Sequence, residues 1–273
     1  MQTTQIALFK NRKIRKTLIG VDWWFVIVDV VAALTDSAQP DGYLKDMRRR
    51  DPELAKGWGQ IATPLSIPTE GGPQMLNCAN TEGIFRIVQS IPSSKAEPFK
   101  RWLAKVGYER VQEIENPELA TKRTRMLYKL KGYSDEWIEM RIRGIAIREE
   151  LTDEWQKRGA AEEKDYEILT AEISKASFGV TPNEYKQLKG LERQNLRDHM
   201  DDFELIFTML GERSTAEIHR VEDSKGLSKL KSDAKAGGDI AAGARKQLEK
   251  RIGRSVLSKK NYLKKPQNKN ITG

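Results

Sequence analysis

Cysteine and histidine are nearly missing from this chain: Cys78, His199 and His219 are the whole supply in 273 residues. One thiol excludes a disulfide framework and a thiolate metal cluster, and fits a reducing compartment. Two histidines cannot furnish a His-rich metal site. Long apolar runs are missing as well. The most apolar stretch, IGVDWWFVIVDVVAAL from Ile19 to Leu34, has 16 positions and is interrupted by Asp22 and Asp29, whereas a spanning helix needs about 20 without charges. No basic n-region leads into an apolar h-region at the N-terminus. A cytoplasmic protein without a membrane segment is therefore expected. Walker-type loops, G-x-S-x-G and zinc-type spacings do not occur. The tempting cluster RDHMDD brings together Asp198, His199, Asp201 and Asp202. Read as one helix, it puts Asp198 and Asp202 on one face and turns His199 and Asp201 away. Helix capping and solvation explain it better than a metal-dependent nuclease does. The expectation is no enzyme, no metal and no cofactor.

What is present is charge. At 38% hydrophobic and 32% charged residues the chain is charge-rich yet able to build cores, and its length suits two ordinary domains. The formal net charge is +9. Lys225 to Lys269 contain 14 Lys/Arg against Asp233, Asp239 and Glu249, or +11, which leaves −2 for everything else. A basic block of this kind attracts nucleic acid first, anionic membrane second and an acidic protein third.

The local patterns divide the chain. In WWFVIV the β-branched and aromatic residues alternate sides, which predicts a strand covered on both faces. Asp29 is then the expected cap of a short helix through Val30, Val31 and Leu34. QIALF and KIRKTLI predict further strands, with turns near Lys10-Asn11 and at Gly20 to Asp22. A basic helix is expected from about Tyr43 to Arg50, stopped by Asp51-Pro52. IATPLSIP and GPQMLNCA read as a hairpin turning at Glu70 to Pro73. One helix from Thr81 would use Ile84, Ile87, Val88 and Ile91, and another would start at Ser94, with capping-box spacing to Glu97. From Asn116 onward strand signals stop. Ser134 and the run Thr181-Pro182-Asn183-Glu184 are expected helix starts. A helix carrying Phe203, Ile206, Phe207 and Leu210 is expected to end at Gly211, with a new one opening at Ser214. Gly237, Gly238 and Gly243 would flank the start of a late basic helix, and the tail beyond Lys259 is expected to fray. The predicted class is α+β: a module of short antiparallel strands and helices over residues 1–113, an all-α module over 114–263 and a basic tail over 264–273.

Residues 14 to 106 resemble the Bro-N domain of BRO family proteins and phage antirepressors in the order of their elements. A basic strand leads to WWFVIVDVVAAL, a basic helix, a second hairpin, TEGIFRIV and AEPFKRWLAKVG. About residues 178 to 263 resemble the C-terminal region of DNA-damage-inducible protein D, through FGVTPNEYKQLKGL, NLRDHMDDFELIFTMLGERSTAEI, GGDIAAGARKQLEKRIG and SVLSKKNYL. The first resemblance implies nucleic-acid binding or antagonism of a repressor. The second implies a bacterial or phage protein induced by DNA damage, associated with the nucleoid, which acts on RecA recombinase filaments on single-stranded DNA. Asn116 to Ser177 carry no assignable motif.

Three basic clusters are the candidate DNA contacts. Lys10, Arg12, Lys13, Arg15 and Lys16 form either a guarded strand edge or a ribbon following phosphates. Lys45, Arg48, Arg49 and Arg50 crowd one helix, where salt bridging to the acidic second half is the alternative. Arg245, Lys246, Lys250, Arg251 and Arg254 make a broad basic face suited to sequence-independent contact. The glycines at 237, 238 and 243 suggest an anion cradle only weakly; a turn with close helix packing explains them better. Trp23 and Trp24 point to opposite faces of a strand, so at most one could stack on a base, and core is the simpler reading for both. Expected partners are DNA, single-stranded DNA included, and either RecA or a phage repressor; self-association into a homo-oligomer is compatible with the sequence.

Overall fold

An abrupt change from strand to helix at Val26-Ile27 organises the N-terminal half. In the computed structural model, which describes residues 14–263 except 21 and 36, strand β1 (Lys16–Ile19) turns at Gly20 into β2 (Asp22–Val26), and α1 (Ile27–Leu34) follows with no loop. Gly20 sits at φ +58, a left-handed value that other residues adopt at a cost. The strand is thus shorter than the apolar pattern predicts, because Ile27, Val30, Val31 and Leu34 recur at helical spacing and are all buried. Asp29 does not cap this helix. It lies inside the first turn and accepts from Arg15 three times, from the backbone N at 2.9 Å, Nε at 2.8 Å and a terminal nitrogen at 2.6 Å. That fork ties the entry of β1 to the start of α1.

Helices α2 (Pro40–Arg50), α3 (Pro52–Lys56) and α4 (Trp58–Ile61) lead to the hairpin β3 (Thr63–Thr69) and β4 (Gly72–Asn80), and α5 (Thr81–Gln89) leaves the sheet directly. The basic helix starts three residues before Tyr43, since Pro40 occupies its first turn. Asp51 stops it and caps the next one, accepting from Leu54 N at 2.9 Å. The sheet is antiparallel throughout, in the order β1-β2-β4-β3. One of its faces sends Phe25 and Ala79 into a core with α1, α2 and α5, while the other gathers Val26, Ile67 and Cys78. Helix α6 (Glu97–Glu115) begins later than Ser94 suggests. Its cap is Ala96 without a side-chain bond, because Pro98 sets the first turn. Phe99 is buried there, but Val106 is exposed.

The second half is helical, as its sequence predicts. Contacts divide the described residues into one compact unit ending at Thr121 and another starting at Lys122; the expected boundary at 113 falls inside α6. After α7 (Glu118–Lys131) come α8 (Asp135–Lys157), α9 (Glu163–Phe178), α10 (Pro182–Leu188), a 3-10 turn over Leu196–His199, α11 (Asp202–Val221) and α12 (Leu227–Ile252). Ser134 caps α8, and Thr181 with Glu184 forms a reciprocal capping box on α10. Two expected breaks are absent. Helix α11 runs through Gly211 and Ser214, and Gly237, Gly238 and Gly243 lie within α12 rather than before it. The physical reason is contact. A Cβ on Gly211 would stand 2.8 Å from Ser177 Oγ, one on Gly237 2.6 Å from Thr215 N, and one on Gly238 2.8 Å from Ile173 O. These glycines let α9, α11 and α12 approach backbone to backbone, alongside buried Ala234, Ala241 and Ala242.

Two polar networks cross this unit. Lys189 and Glu204 form a fully buried ion pair at 2.9 Å, with Tyr185 OH donating to Glu204. Ser258 N also donates to Glu204 Oε1 at 3.2 Å, and Lys189 Nζ to Lys260 O at 2.7 Å. The segment after α12 is therefore fastened down rather than frayed as far as Leu263. Tyr262 stacks on Tyr133 and tilts against Trp137. In the second network Trp155 Nε1 donates to His219 Nε2 at 3.0 Å, and His219 Nδ1 meets Asp233 at the same distance. Only the neutral ring with its proton on Nδ1 satisfies both bonds.

Candidate nucleic-acid interface

A cation can hold a phosphate only if it is exposed and not already neutralised, and the three basic clusters differ in this. Within the first, Lys10, Arg12 and Lys13 lie outside the described residues. Arg15 is locked to Asp29, and the hydrogen bonds and charge of that carboxylate raise its pKa. Lys16 lies half-buried with Nζ 4.4 Å from the centre of the Trp23 ring, and burial lowers its pKa. Neither is a loose side chain on a ribbon. Trp23 packs against the main core and Trp24 against the small cluster on the other sheet face, and each stays half-buried.

On α2 the four cations separate. Arg48 lies on the Trp58 ring, its Cζ 4.4 Å from the centre, with a buried Nε that has no partner. Arg49 pairs with Asp46 at 3.0 Å, and its side chain stays 79% exposed, a pairing that contributes little and yields readily to a phosphate. Arg50 donates from Nε to the Asp46 carbonyl at 3.2 Å and is exposed. Lys45 is exposed and makes no ion pair among the described residues. The usable surface is thus Lys45, Arg49 and Arg50.

Helix α12 sorts its charges by position. In its first half Lys229 pairs with Glu222 and Asp233, Lys231 with Glu172, and Lys235 with Asp239. Arg245 does not belong to the interface. It is 9% exposed, donates from Nε to Ser177 O at 2.9 Å and holds both oxygens of Glu249 at 2.7 Å. Its place in the buried stripe with Ala234, Gly238, Ala241 and Ala242 was readable from spacing, but its charge concealed it. Beyond it, Lys246, Lys250, Arg251 and Arg254 are all exposed, and none makes an ion pair among the described residues. Lys259 and Lys260 share this state and were not singled out by sequence reasoning, which treated them as tail. Residues 246–260 thus carry six Lys/Arg against Glu249 alone, and that carboxylate is occupied by Arg245, Val256 N and Ser255.

The acidic cluster does not form the helix face that its spacing suggests. Asp198 sits in the 3-10 turn and binds Arg141 Nε at 2.9 Å and Tyr128 OH at 3.1 Å. Asp201 is the cap of α11, in a reciprocal box with Glu204. Met200 breaks any common face between them. No group of three or more His, Cys, Asp or Glu suited to a metal occurs among the described residues. Cys78 is buried, and burial first, then the charge of Asp29, raises its thiol pKa, the opposite of an activated nucleophile. No helix among the described residues is long and apolar enough to cross a membrane.

Comparison with known families matches residues 13–111 to the BRO family, N-terminal domain. The matched span ends within α6 and takes in the sheet and the α2 cluster. A comparison with curated proteins found no match.

Proposed function

We propose that this protein is a non-enzymatic, DNA-associated regulator whose helical unit grips the phosphate backbone through Lys246, Lys250, Arg251, Arg254, Lys259 and Lys260. One observation supports the reading above the others: six exposed cations within 15 positions, 246 to 260, with the one acidic residue of that stretch already bonded. Such a density of uncompensated charge raises the self-energy of the folded chain, and a polyanion relieves it. Lys45, Arg49 and Arg50 of the Bro-N-like unit supply a second, weaker contact. The same reading treats residues 1–113 and 114–263 as separable modules. It also makes a RecA filament on single-stranded DNA the protein partner, which rests on the resemblance of residues 178 to 263 to DNA-damage-inducible protein D alone.

The test is fluorescence anisotropy of labelled single- and double-stranded oligonucleotides across a salt series, with and without a RecA filament. If about six phosphates are neutralised, affinity falls about 10³-fold between about 50 and 200 mM salt. A flat salt dependence would remove the electrostatic premise. Equal affinity for bare DNA and for the filament would remove the partner while leaving DNA binding in place.

A second reading has its own support. In the region matching the BRO family domain, Arg15 and Arg48 already have partners within the chain, so that unit is poorer in available charge than its sequence suggests. This favours a phage-type antirepressor whose N-terminal unit binds a repressor protein. A purified phage repressor retained by this chain after nuclease treatment would support it; loss of retention with the nucleic acid would count against it.

A further inference from the structure

Helix α6 is anchored in its first turns only. Phe99 is buried in the main core, where its ring meets Phe85 and Trp102, and Leu103 packs against the same cluster. From Ala104 to the end of the helix at Glu115 every residue is exposed except Gln112 and Glu113. That stretch nevertheless carries large apolar side chains: Val106 is 40% exposed, Tyr108 63%, Val111 54% and Ile114 70%. Single apolar residues on a surface are ordinary, but several on one short helix, some of them in line, mark a face that binds something.

The order of residues along that face says what fits it. Ala104, Gly107, Val111 and Ile114 recur at the a/d spacing of a coiled-coil seam. The two small residues come first and the two large ones last. Against the same helix of a second copy laid antiparallel, Ala104 meets Ile114 and Gly107 meets Val111, so each large side chain enters the gap left by a small one. A Cβ on Gly107 would touch nothing within 4 Å in its own chain, so that gap is open. A parallel pair would set small against small and leave half of the seam unfilled. The charges on one flank agree with the antiparallel order. Arg101 and Glu115 lie on the same side of the seam with Tyr108 midway between them; both are exposed, and neither makes an ion pair among the described residues. Antiparallel pairing brings Arg101 of each copy to Glu115 of the other, and Tyr108 to its own counterpart. On the opposite flank Arg110 would approach its counterpart, but Glu113 already pairs with it at 3.3 Å.

We propose that the second half of α6 pairs antiparallel with α6 of a second copy of this chain, forming a two-fold homodimer. The face is self-complementary in both size and charge, as a two-fold interface requires, and every contact is made twice. The seam is short, so the interface belongs at the small end of the range, below about 1,200 Å², and dissociation in the micromolar range is expected. The inference is independent of the DNA-binding reading, since neither the seam nor its flanks include any of the cations assigned to phosphate. If both hold, one particle carries two basic surfaces and gains avidity for a continuous strand.

The experiment is sedimentation equilibrium of the full chain, freed of nucleic acid, from about 1 to 300 µM. The average mass is expected to rise from 31.1 kDa towards twice that value. Val111→Glu/Ile114→Glu should weaken association on the order of 100-fold or more, because it sets carboxylates from both copies in one seam. Both side chains are exposed, so the variant should melt like the parent at concentrations where each is a monomer. Arg101→Glu and Glu115→Arg should each weaken the dimer by about threefold to tenfold, and the two together should restore it. Lys250→Glu/Arg251→Glu should leave association unchanged. The proposal is overturned if the mass stays at 31.1 kDa throughout, which gives the face to another part of this chain or to a different protein. It is overturned equally if the Val111/Ile114 variant associates like the parent, if the charge swap is no better than either single reversal, or if the Lys250/Arg251 variant abolishes association.

Discussion

Replacing Gly237 by alanine sets two known effects against each other on one helix. In an exposed helix interior Gly→Ala stabilises by about 0.8–1 kcal/mol, because the unfolded chain loses freedom. At Gly237 the new methyl would overlap Thr215 Oγ1 and stand 2.6 Å from Thr215 N and 2.8 Å from Thr215 Cα. Two of those three atoms are backbone, so no rotamer change relieves the overlap, and α11 and α12 must separate. Overpacking of this sort costs about 1–3 kcal/mol or more, enough to outweigh the propensity gain. Gly243 is the internal control, since it lies in the same helix and a Cβ added there would meet nothing within 4 Å. Urea unfolding followed by tryptophan fluorescence and circular dichroism should therefore show Gly237→Ala destabilised by about 1–2 kcal/mol net and Gly243→Ala stabilised by up to about 1 kcal/mol. In melting temperature the two would shift in opposite directions, by about 2–4 °C per kcal/mol for a protein of this size. A Gly237→Ala variant as stable as the parent would refute the close-approach account and return these glycines to the anion-cradle reading.

The remaining expectations use other parts of the molecule. Lys250→Glu/Arg251→Glu should weaken DNA binding and flatten its salt dependence, whereas Arg15→Ala should lower stability, because it strands Asp29, and leave DNA affinity alone; the reverse pattern in anisotropy would sink the assignment of the interface. Breaking the buried pair with Lys189→Met should cost about 3–5 kcal/mol, and Lys189→Met/Glu204→Gln much less than the sum of the two single changes, as read from a double-mutant cycle in urea. Burial holds His219 below its ordinary value of 6.5 despite the opposing pull of Asp233, while Arg158 lowers and Glu154 raises it, and burial lowers His199 too. Both rings are then less protonated in the native state than in the unfolded one, so their stabilisation is complete above about pH 6.5 and is lost as pH falls below it; a melting temperature that rises on acidification from pH 7 to about 5.5 would contradict this.

Helix starts were legible where the capping chemistry is local. Ser134 and the Thr181 to Glu184 box need only three residues to specify themselves, and both form as read. Helix interiors misled where a glycine answers to a neighbour far along the chain. Gly211 reads locally as a stop, yet its missing side chain makes room for Ser177, 34 positions earlier. The same limit applies to Asp29, whose partner Arg15 is fixed by the β1–β2 turn, and to Tyr262, which looks like tail until Tyr133 and Trp137 are brought beneath it. For the candidate interface, charge density was visible in the sequence but charge availability was not. Arg245 and Arg254 are alike as letters, but one lies in the buried stripe of α12 and the other beyond its end.

The position of the exposed cations also bears on whether they serve the fold alone. Lys250 and Arg251 occupy the last turn of α12, where positive charge offsets the helix dipole by about 0.3–1 kcal/mol, so a stabilising role accounts for those two. It does not account for the others. Lys246 lies a full turn before Lys250 on the same face, an arrangement of like charges that destabilises by about 0.2–0.5 kcal/mol, and Arg254, Lys259 and Lys260 follow Ile252, outside the helix. In the first half of α12 each of Lys229, Lys231 and Lys235 meets a carboxylate. The last part of the unit departs from that habit over residues 246–260, and the departure is intelligible if the compensating charge arrives from outside as phosphate.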